Sequence, residues 1–366
     1  MILFTVTFWH EKSLRMTYSA IWSLVYLLLV DWVSCCILFT LSLFTWWTIK
    51  QEKVSGTKAV WSSVVVFTVL MYYKVTFVNK NLSIFSSKSL IPLGLSYYTL
   101  RCIHVIAERY KGNIKQSSYT DILSYLFYLP TLWVGPIHRF PQFSKESRRH
   151  RWESKRFLEG LERLLYGYFK VCFVTELVLN QTFTDWIEHY GFGEWTATYL
   201  QMVNAGLTLY MQFSGYSDVA IGFSLLLGIR VMENFKFPYF QKNISDFWKS
   251  WHISLTSWCQ EYIYNPVIAK ARSPQLAVIC SILVMALWHE VSLRYILWAC
   301  YHALGILIWQ FFHTHVGCKP RVQASKLMGV FSRVLTLNFV WLGFLLVRQP
   351  DVQSMLHILK KLFYLT

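Results

Sequence analysis

Residues 16–49 read MTYSAIWSLVYLLLVDWVSCCILFTLSLFTWWTI, a nearly continuous apolar run that is interrupted by one charged residue, Asp31. A helix that crosses the hydrocarbon core of a bilayer, about 30 Å thick, needs about 20 mostly apolar residues. The run is therefore long enough for one long membrane helix or for two shorter ones. This stretch indicates an integral membrane protein.

The composition of the whole chain supports the same class. Hydrophobic residues make up 55% of the 366 residues and charged residues only 15%, and the mean hydropathy is +0.36. Soluble domains carry about 25% charged residues, and a chain this apolar cannot remain disordered in water. The eight cysteines include no CxxC pair, which excludes a disulfide scaffold and gives no metal-ligand spacing. We expect one polytopic membrane domain over residues 1–366, with no metal site.

Further apolar segments follow along the chain and predict an all-α bundle. They are Ala59–Val78, Ile91–Ala107, Ile122–Val134, Phe157–Leu179, Tyr199–Ile229, Leu276–Trp288, Ile296–Phe312 and Leu327–Val347. We expect roughly eight to eleven membrane helices, the short ones being re-entrant or buried in protein. The pair Ser214-Gly215 predicts a helix break, and Asp218 beside it is expected to pair with Lys, Arg or a backbone donor. Residues Met1–Tyr18 carry Glu11, Lys12 and Arg15 and do not resemble a cleavable signal peptide.

The basic residues lie mostly between the apolar runs. The chain has 35 Lys and Arg against 19 Asp and Glu, a net charge of +16. Cytoplasmic loops of membrane proteins collect such residues beside anionic headgroups, so membrane lipids rather than nucleic acid are the expected partners. The densest stretch, Arg139–Arg156, marks a cytoplasmic loop. It is either a plain topology signal or a docking site for an acidic carrier protein or for coenzyme A phosphates.

Residues 231–271 are too polar to span a membrane but are rich in aromatic residues and lysines. That mixture is typical of re-entrant or interfacial segments at headgroup depth. His252 lies in this segment, and if the surrounding stretch is one helix, Trp248 and His252 share a face at i and i+4.

His289 ends an apolar run, Ser281–Trp288, where an ionisable side chain is costly and suggests a function. The alternative for His252 and His289 is a core histidine satisfied by one hydrogen bond. Histidine titrates near neutral pH and can accept and return the proton of a hydroxyl, as acyl transfer from a thioester to an alcohol requires. Motifs of serine hydrolases, ATPases, zinc proteases and dinucleotide-binding enzymes are not present.

Six short motifs between residues 91 and 308 resemble the membrane-bound O-acyltransferase superfamily. The resemblance is to its bacterial alginate and peptidoglycan O-acetylation and teichoic acid D-alanyl transferase branch. The motifs are IPLGLSYYT (91–99), YLPTLWVGPIHRF (128–140), FSGYSDVAIG (213–222), ENFKFPY (233–239), FWKSWHISLTSW (247–258) and LWHE (287–290). Their common order and spacing are more specific than any one motif.

The resemblance implies a multi-helix bundle with re-entrant and interfacial helices around a central funnel or channel, in the bacterial inner membrane. It implies that His289 is catalytic and that His252 is a second important residue facing it. The donor would be a cytoplasmic acyl thioester, either acetyl-CoA or a carrier-protein phosphopantetheine, acting as substrate with no bound cofactor. The acceptor would be a hydroxyl on an extracytoplasmic polymer or a partner acyltransferase.

Six further residues complete the predicted site as substrate-binding residues: Trp248, Trp251, Trp288, Asp218, Ser254 and Glu290. The tryptophans would exclude water, which otherwise hydrolyses the thioester, although packing aromatics are an equal alternative. Glu290 stands where the family pattern has a small residue, and it is expected to perturb the pKa of His289 or to pair with Arg294. Gln260 also departs from the family pattern.

These features favour an acyltransferase that modifies an envelope polysaccharide, with acetyl as the favoured group. D-alanyl transfer from a carrier protein is the nearest alternative. A transporter or lipid flippase is a second alternative, since an acidic residue in a membrane segment can line a substrate path. A scaffold subunit with an inactive site is a third, because of Glu290.

Overall fold

The computed structural model describes residues 15–78, 91–148, 153–316 and 326–364, and within these ranges the chain is helical and forms no β-sheet. The predicted all-α membrane fold is confirmed. Most of the Met1–Tyr18 stretch, and Arg149 and Arg151 of the basic loop, lie outside the described residues. The described chain divides into two compact units, residues 1–165 with 217–233 and residues 166–216 with 234–366. The expected single membrane domain stays a prediction.

The first unit contains the N-terminal helices and the start of a long seventh helix. They are α1 (Arg15–Val30), α2 (Trp32–Ile49), α3 (Gly56–Val78), α4 (Leu95–Tyr110), α5 (Tyr119–Leu126), α6 (Phe140–Arg148) and α7 (Ser154–Tyr168). Helix α4 packs against α2 and α3, and the Tyr98 hydroxyl donates to the Leu38 carbonyl at 2.9 Å. Arg101 of α4 is fully buried and donates to the carbonyl oxygen of Thr131 at 3.2 Å.

The remaining helices belong to the second unit, except that residues 217–226, at the C-terminal end of one of them, belong to the first. A π-helical stretch, Phe169–Phe183, extends α7. It is followed by α8 (Thr184–His189), α9 (Glu194–Leu226), α10 (Ile244–Ser250), α11 (Ile253–Cys259), α12 (Asn265–Ala271), α13 (Pro274–His289), α14 (Leu293–Phe311), α15 (Lys326–Arg348) and α16 (Val352–Phe363). Helix α14 packs against both α13 and α15.

Asp31 divides the first apolar run into two helices. Its carboxylate accepts a hydrogen bond from the Ser34 backbone N–H at 3.1 Å and caps the N-terminus of α2. An N-terminal cap of this kind satisfies an N–H group that has no partner within the helix. Of the two arrangements open from the sequence, the pair of shorter helices is the one found.

Four helices of the described part are long and apolar enough to cross a membrane: Trp32–Ile49, Gly56–Val78, Leu293–His315 and Lys326–Arg348. Thr17–Val30 and Pro274–His289 are shorter apolar helices. The total of eight to eleven membrane helices, which counts short and re-entrant ones, stays a prediction.

The predicted helix break at Ser214-Gly215 is wrong. Helix α9 runs without interruption from Glu194 to Leu226. A Cβ on Gly215 would lie 2.7 Å from Cγ2 of Val171 and 2.9 Å from the carbonyl oxygen of Gly167. The glycine therefore permits a close approach between two helices, a role that a sequence pattern alone does not separate from that of a helix breaker.

We expect Gly215→Val to destabilise the second unit. The added side chain meets the backbone of residue 167, which cannot rotate away, and overpacking of this kind costs about 1–3 kcal/mol. The measurement is thermal unfolding of the purified protein in detergent. Gly193→Ala is the matched control, because a Cβ at residue 193 meets nothing within 4 Å. Equal melting temperatures for the two variants would contradict the packing role.

Part of the basic loop makes structural contacts within the first unit. Arg156 lies 2.9 Å from the Glu146 carboxylate and donates to the Gly228 carbonyl at 2.8 Å. This guanidinium is already neutralised, so it contributes less to a docking surface than the sequence suggests. Docking of a carrier protein on residues 139–156 stays a prediction.

Candidate active site

A cavity of about 290 Å³ lies within the second unit. Its lining is mostly apolar and aromatic, and it includes both histidines that the sequence selected, His252 and His289. The polar lining side chains are Thr208, Gln212, His252, His289, Tyr295 and Arg348. A concave, mainly apolar cavity with a few convergent polar groups is typical of a small-molecule site.

His289 is the last residue of α13. This helix begins with Ser273, whose hydroxyl accepts the Leu276 N–H at 3.2 Å, and with Pro274 in the first turn. The imidazole is stacked on Tyr295 with ring centroids 5.7 Å apart, and its centroid lies 6.3 Å from that of Trp298. Two residues of α14 thus hold the ring of His289 in an aromatic setting.

His252 lies between α10 and α11 rather than inside a helix. Helix α10 ends at Ser250, α11 begins at Ile253, and His252 has the left-handed backbone angle φ +44°. The continuous helix that would place Trp248 and His252 on one face is therefore not found, although both residues line the cavity. Strained backbone angles at non-glycine residues occur often at functional sites.

A short backbone pairing holds the His252 turn in place. The N–H of Ile253 donates to the Asn234 carbonyl at 2.9 Å, and the N–H of Lys236 donates to the Ser250 carbonyl at 3.0 Å. The Ser254 hydroxyl donates to Oδ1 of Asn234 at 2.6 Å, and both residues are buried. Asn234 therefore holds the turn through two acceptors, its backbone carbonyl and its side-chain oxygen.

We expect Asn234→Ala and Ser254→Ala to lower the turnover number about fivefold, because each removes a buried hydrogen bond worth roughly 1 kcal/mol and loosens the turn that carries His252. The measurement is a double-mutant cycle on kcat. Since both changes break one contact, the double variant should lose little more than either single variant. Fully additive losses would show that the two residues act separately.

The two histidines interact through one tryptophan. The ring centroid of Trp288 lies 4.6 Å from that of His289 and 5.8 Å from that of His252. His252 lies outside the four helices that are long enough to cross a membrane. Burial lowers the pKa of His252, and the nearby His289 lowers it further. Because a lowered pKa keeps a buried histidine uncharged near pH 7, His252 is a neutral imidazole there.

Of the three tryptophans predicted to bind substrate, two line the cavity and one does not. Trp248 and Trp251 line the cavity, whereas Trp288 lies between the histidines and is not one of the lining residues. Trp248 also packs edge-on against Trp298 at 5.7 Å. Contact of these rings with a substrate stays a prediction.

Glu290 forms an ion pair with Arg294, one of the two roles expected from the sequence. Nε and the second terminal nitrogen of Arg294 donate to the two carboxylate oxygens at 2.9 and 2.6 Å. The remaining terminal nitrogen donates to the Gln349 carbonyl at 2.6 Å. The bidentate pair neutralises Glu290 beside His289, so this departure from the family pattern does not by itself indicate an inactive site.

Asp218 and Ser254 are not among the residues that line this cavity. Asp218 belongs to the first unit, where Arg163 bridges it to Glu233; pairing with an arginine was one of the expected outcomes. Ser254 is fully buried, and its hydroxyl donates to Asn234. Their direct binding of substrate stays a prediction.

Five residues of the site were missed from the sequence: Asn234, Gln212, Tyr295, Trp298 and Arg348. Asn234 and Gln212 had a signal, since one lies in the ENFKFPY motif and the other adjoins the FSGYSDVAIG motif. The other three lie outside every motif. Within the described ranges, no three His, Cys, Asp or Glu side chains are grouped as a metal site would require.

Comparison with known proteins gives one family and several relatives. The sequence profile of the membrane-bound O-acyltransferase family matches residues 41–347. The probable alginate O-acetylase AlgI of Pseudomonas syringae is 29% identical, over 72% of this chain and 50% of its own length. The teichoic acid D-alanyltransferase of Bacillus subtilis is 27% identical, over 69% and 67%. The peptidoglycan O-acetyltransferase of Helicobacter pylori is 27% identical, over 74% and 56%. The chain thus spans about half the length of its alginate relative.

Proposed function

The chain belongs to the membrane-bound O-acyltransferase family, and on this premise we propose that it transfers an acyl group, with acetyl favoured, from a cytoplasmic thioester to a hydroxyl on the extracytoplasmic side. The acceptor belongs to an envelope polysaccharide or to a partner that acylates one. The proposal includes a location in the bacterial inner membrane. The observation that carries it is the pair of imidazoles, His252 and His289, in one aromatic cavity.

In the proposed reaction His289 is the general base. Its imidazole takes the proton of the acceptor hydroxyl while that oxygen attacks the thioester carbonyl carbon. The tetrahedral intermediate then collapses, the carbon–sulfur bond breaks, and the imidazolium returns the proton to the leaving thiolate. The products are an ester and a free thiol, so no nucleophile of the protein takes part.

Neighbouring side chains supply the other requirements of acyl transfer. The amide of Gln212 and the hydroxyl of Tyr295 line the cavity, and such donors stabilise the oxyanion of a tetrahedral intermediate. Trp248, Trp251 and Trp298 supply an apolar wall that limits water, which protects the thioester from hydrolysis.

The charges at the helix ends of the second unit support the proposed sidedness. Basic residues without nearby acids flank the start of α13 and connect α14 to α15: Lys270, Arg272, Lys319, Arg321 and Lys326. At the opposite ends, Arg294 and Arg348 are accompanied by Glu290 and Asp351. The excess of positive charge marks the cytoplasmic side, so the His289 end of α13 is assigned to the extracytoplasmic side.

D-alanyl transfer is the second candidate, because the Bacillus subtilis relative, named a teichoic acid D-alanyltransferase, is matched over 67% of its own length. A transport function without acyl transfer is the alternative from another class.

One assay separates these functions. The purified protein in nanodiscs is offered either acetyl-CoA labelled in the acetyl group or a carrier protein charged with labelled D-alanine. The acceptors are oligomannuronate and oligo(glycerol phosphate). We expect an alkali-labile ester from acetyl-CoA. An ester from the charged carrier alone would favour D-alanyl transfer, and no ester from either donor would contradict the enzymatic proposal.

A further inference from the structure

We propose that Arg348 is a specificity residue that binds an anionic group, phosphate or carboxylate, on the acyl acceptor as it enters the cavity. This inference rests on the proposed function and names the chemical class of its acceptor. The observation behind it is an exposed arginine that lines the cavity holding His252 and His289 and forms no ion pair with any described residue.

Arg348 is the last residue of α15, and it lines the cavity together with His289 and Tyr295. Its guanidinium forms no ion pair or hydrogen bond with any residue that the structure describes. Arg348 is exposed and lies beside a mainly apolar lining, so its guanidinium is accessible to an anionic ligand.

The neighbouring Arg294, in contrast to Arg348, has a structural role. It is neutralised by Glu290 and caps the end of α15 through the Gln349 carbonyl. The side-chain amide of Gln349 donates to the Leu345 carbonyl at 3.1 Å. These contacts give Arg294 a structural role, whereas no ion pair or hydrogen bond with a described residue gives one to Arg348.

The rest of the lining fits an anionic acceptor. No carboxylate is among the described lining residues, and Arg348 is the one permanent cation among them. Arginine binds phosphate and carboxylate through charge-assisted, often bidentate hydrogen bonds. A neutral sugar would gain little from this residue, so its position favours an acceptor that carries both a hydroxyl and a negative charge.

Helix lengths assign the anion to the acceptor rather than to the donor. Helix α15 has 23 residues and rises about 34 Å at 1.5 Å per residue, enough to reach across the hydrocarbon core. It starts at Lys326, in the basic region assigned to the cytoplasm. Arg348 therefore lies at the extracytoplasmic end, where the acceptor enters and the phosphates of the donor do not reach.

The test compares Arg348→Gln, Arg348→Lys and, as a matched control, Arg272→Gln at the other end of the second unit. Acceptors are oligomannuronate, oligo(glycerol phosphate) and a neutral cello-oligosaccharide. We expect Arg348→Gln to raise KM for an anionic acceptor about 10- to 100-fold, the range for a hydrogen bond to a charged group. The KM for acetyl-CoA and for the neutral acceptor should not change, and Arg348→Lys should recover most of the loss. A rise in KM for oligomannuronate indicates that Arg348 binds carboxylate, and a rise for oligo(glycerol phosphate) indicates that it binds phosphate.

Direct binding keeps this inference separate from the proposed function. Three tryptophans line the cavity, so quenching of intrinsic fluorescence by the two anionic oligomers reports binding without turnover. Binding that Arg348→Gln weakens, in a protein that makes no ester, would support the anion site and contradict the enzymatic proposal. An unchanged KM and unchanged binding in Arg348→Gln, a rise in the KM of acetyl-CoA instead, or no binding of either oligomer to the wild type would overturn the inference.

Discussion

Replacing His289 by alanine is expected to lower the rate of acyl transfer about 100- to 10,000-fold, the range for loss of a positioned general base. The imidazole ends α13, is stacked on Tyr295 and lines the cavity. Among the described lining residues, His252 and His289 carry the imidazoles, the side-chain group that ordinarily titrates near neutral pH, and burial lowers the pKa of His252. The measurement is ester formation under single-turnover conditions, with the amount of folded protein determined by gel filtration.

His189→Ala is the matched control for this prediction. His189 is an exposed histidine at the end of α8, and its Nδ1 lies 2.8 Å from the Asp185 carbonyl oxygen. Removing it deletes the same chemical group from the second unit without touching the cavity. A His289→Ala protein that is folded and retains the wild-type rate would remove His289 from the mechanism.

Replacing His252 by asparagine is expected to lower kcat about 100-fold, the low end of the range for loss of an imidazole from an acid–base site, while the protein stays folded. Asparagine tolerates the left-handed backbone angle that His252 adopts, so the turn held by Asn234 should survive. What is lost is the neutral ring that packs edge-on against Phe213 at 4.7 Å and interacts with His289. The measurement is kcat together with the melting temperature.

His252→Ala serves as the comparison variant, because alanine is strained at a positive φ. We expect it to lose activity to a similar extent and to melt at a lower temperature than His252→Asn. If His252→Asn retains full activity, His252 contributes only to packing. If it fails to fold while His252→Ala folds, the backbone argument is wrong.

The sequence predicted those parts of the fold that depend on local composition. Apolar runs gave the all-α membrane class, Asp31 marked a helix boundary, and the polar stretch 231–271 forms short helices. The motif resemblance selected His252 and His289, which the folded chain places in one cavity. In each case the signal lies in consecutive residues.

Features that depend on contacts between distant segments were predicted less well. Gly215 has the same local signature whether it breaks a helix or lets another helix approach, and the position of Val171 decides between the two. The break at His252 is stabilised by Asn234, which lies eighteen residues earlier in the chain. Arg348 ends an apolar helix, as many arginines end a membrane span, and only folding places it in the same cavity lining as His289.

In the proposed mechanism one imidazole, that of His289, is reached by a thioester from one side of the membrane and by a hydroxyl from the other. The most direct measurement uses proteoliposomes of one orientation, with the cytoplasmic face inward, acetyl-CoA labelled in the acetyl group sealed inside, and an impermeant oligomannuronate outside. We expect labelled ester in the outer solution, coenzyme A retained in the lumen, and no outer label with His289→Ala. Two results would contradict this mechanism. One is ester that forms only in leaky vesicles, where donor and acceptor share a compartment, and the other is equal transfer by His289→Ala.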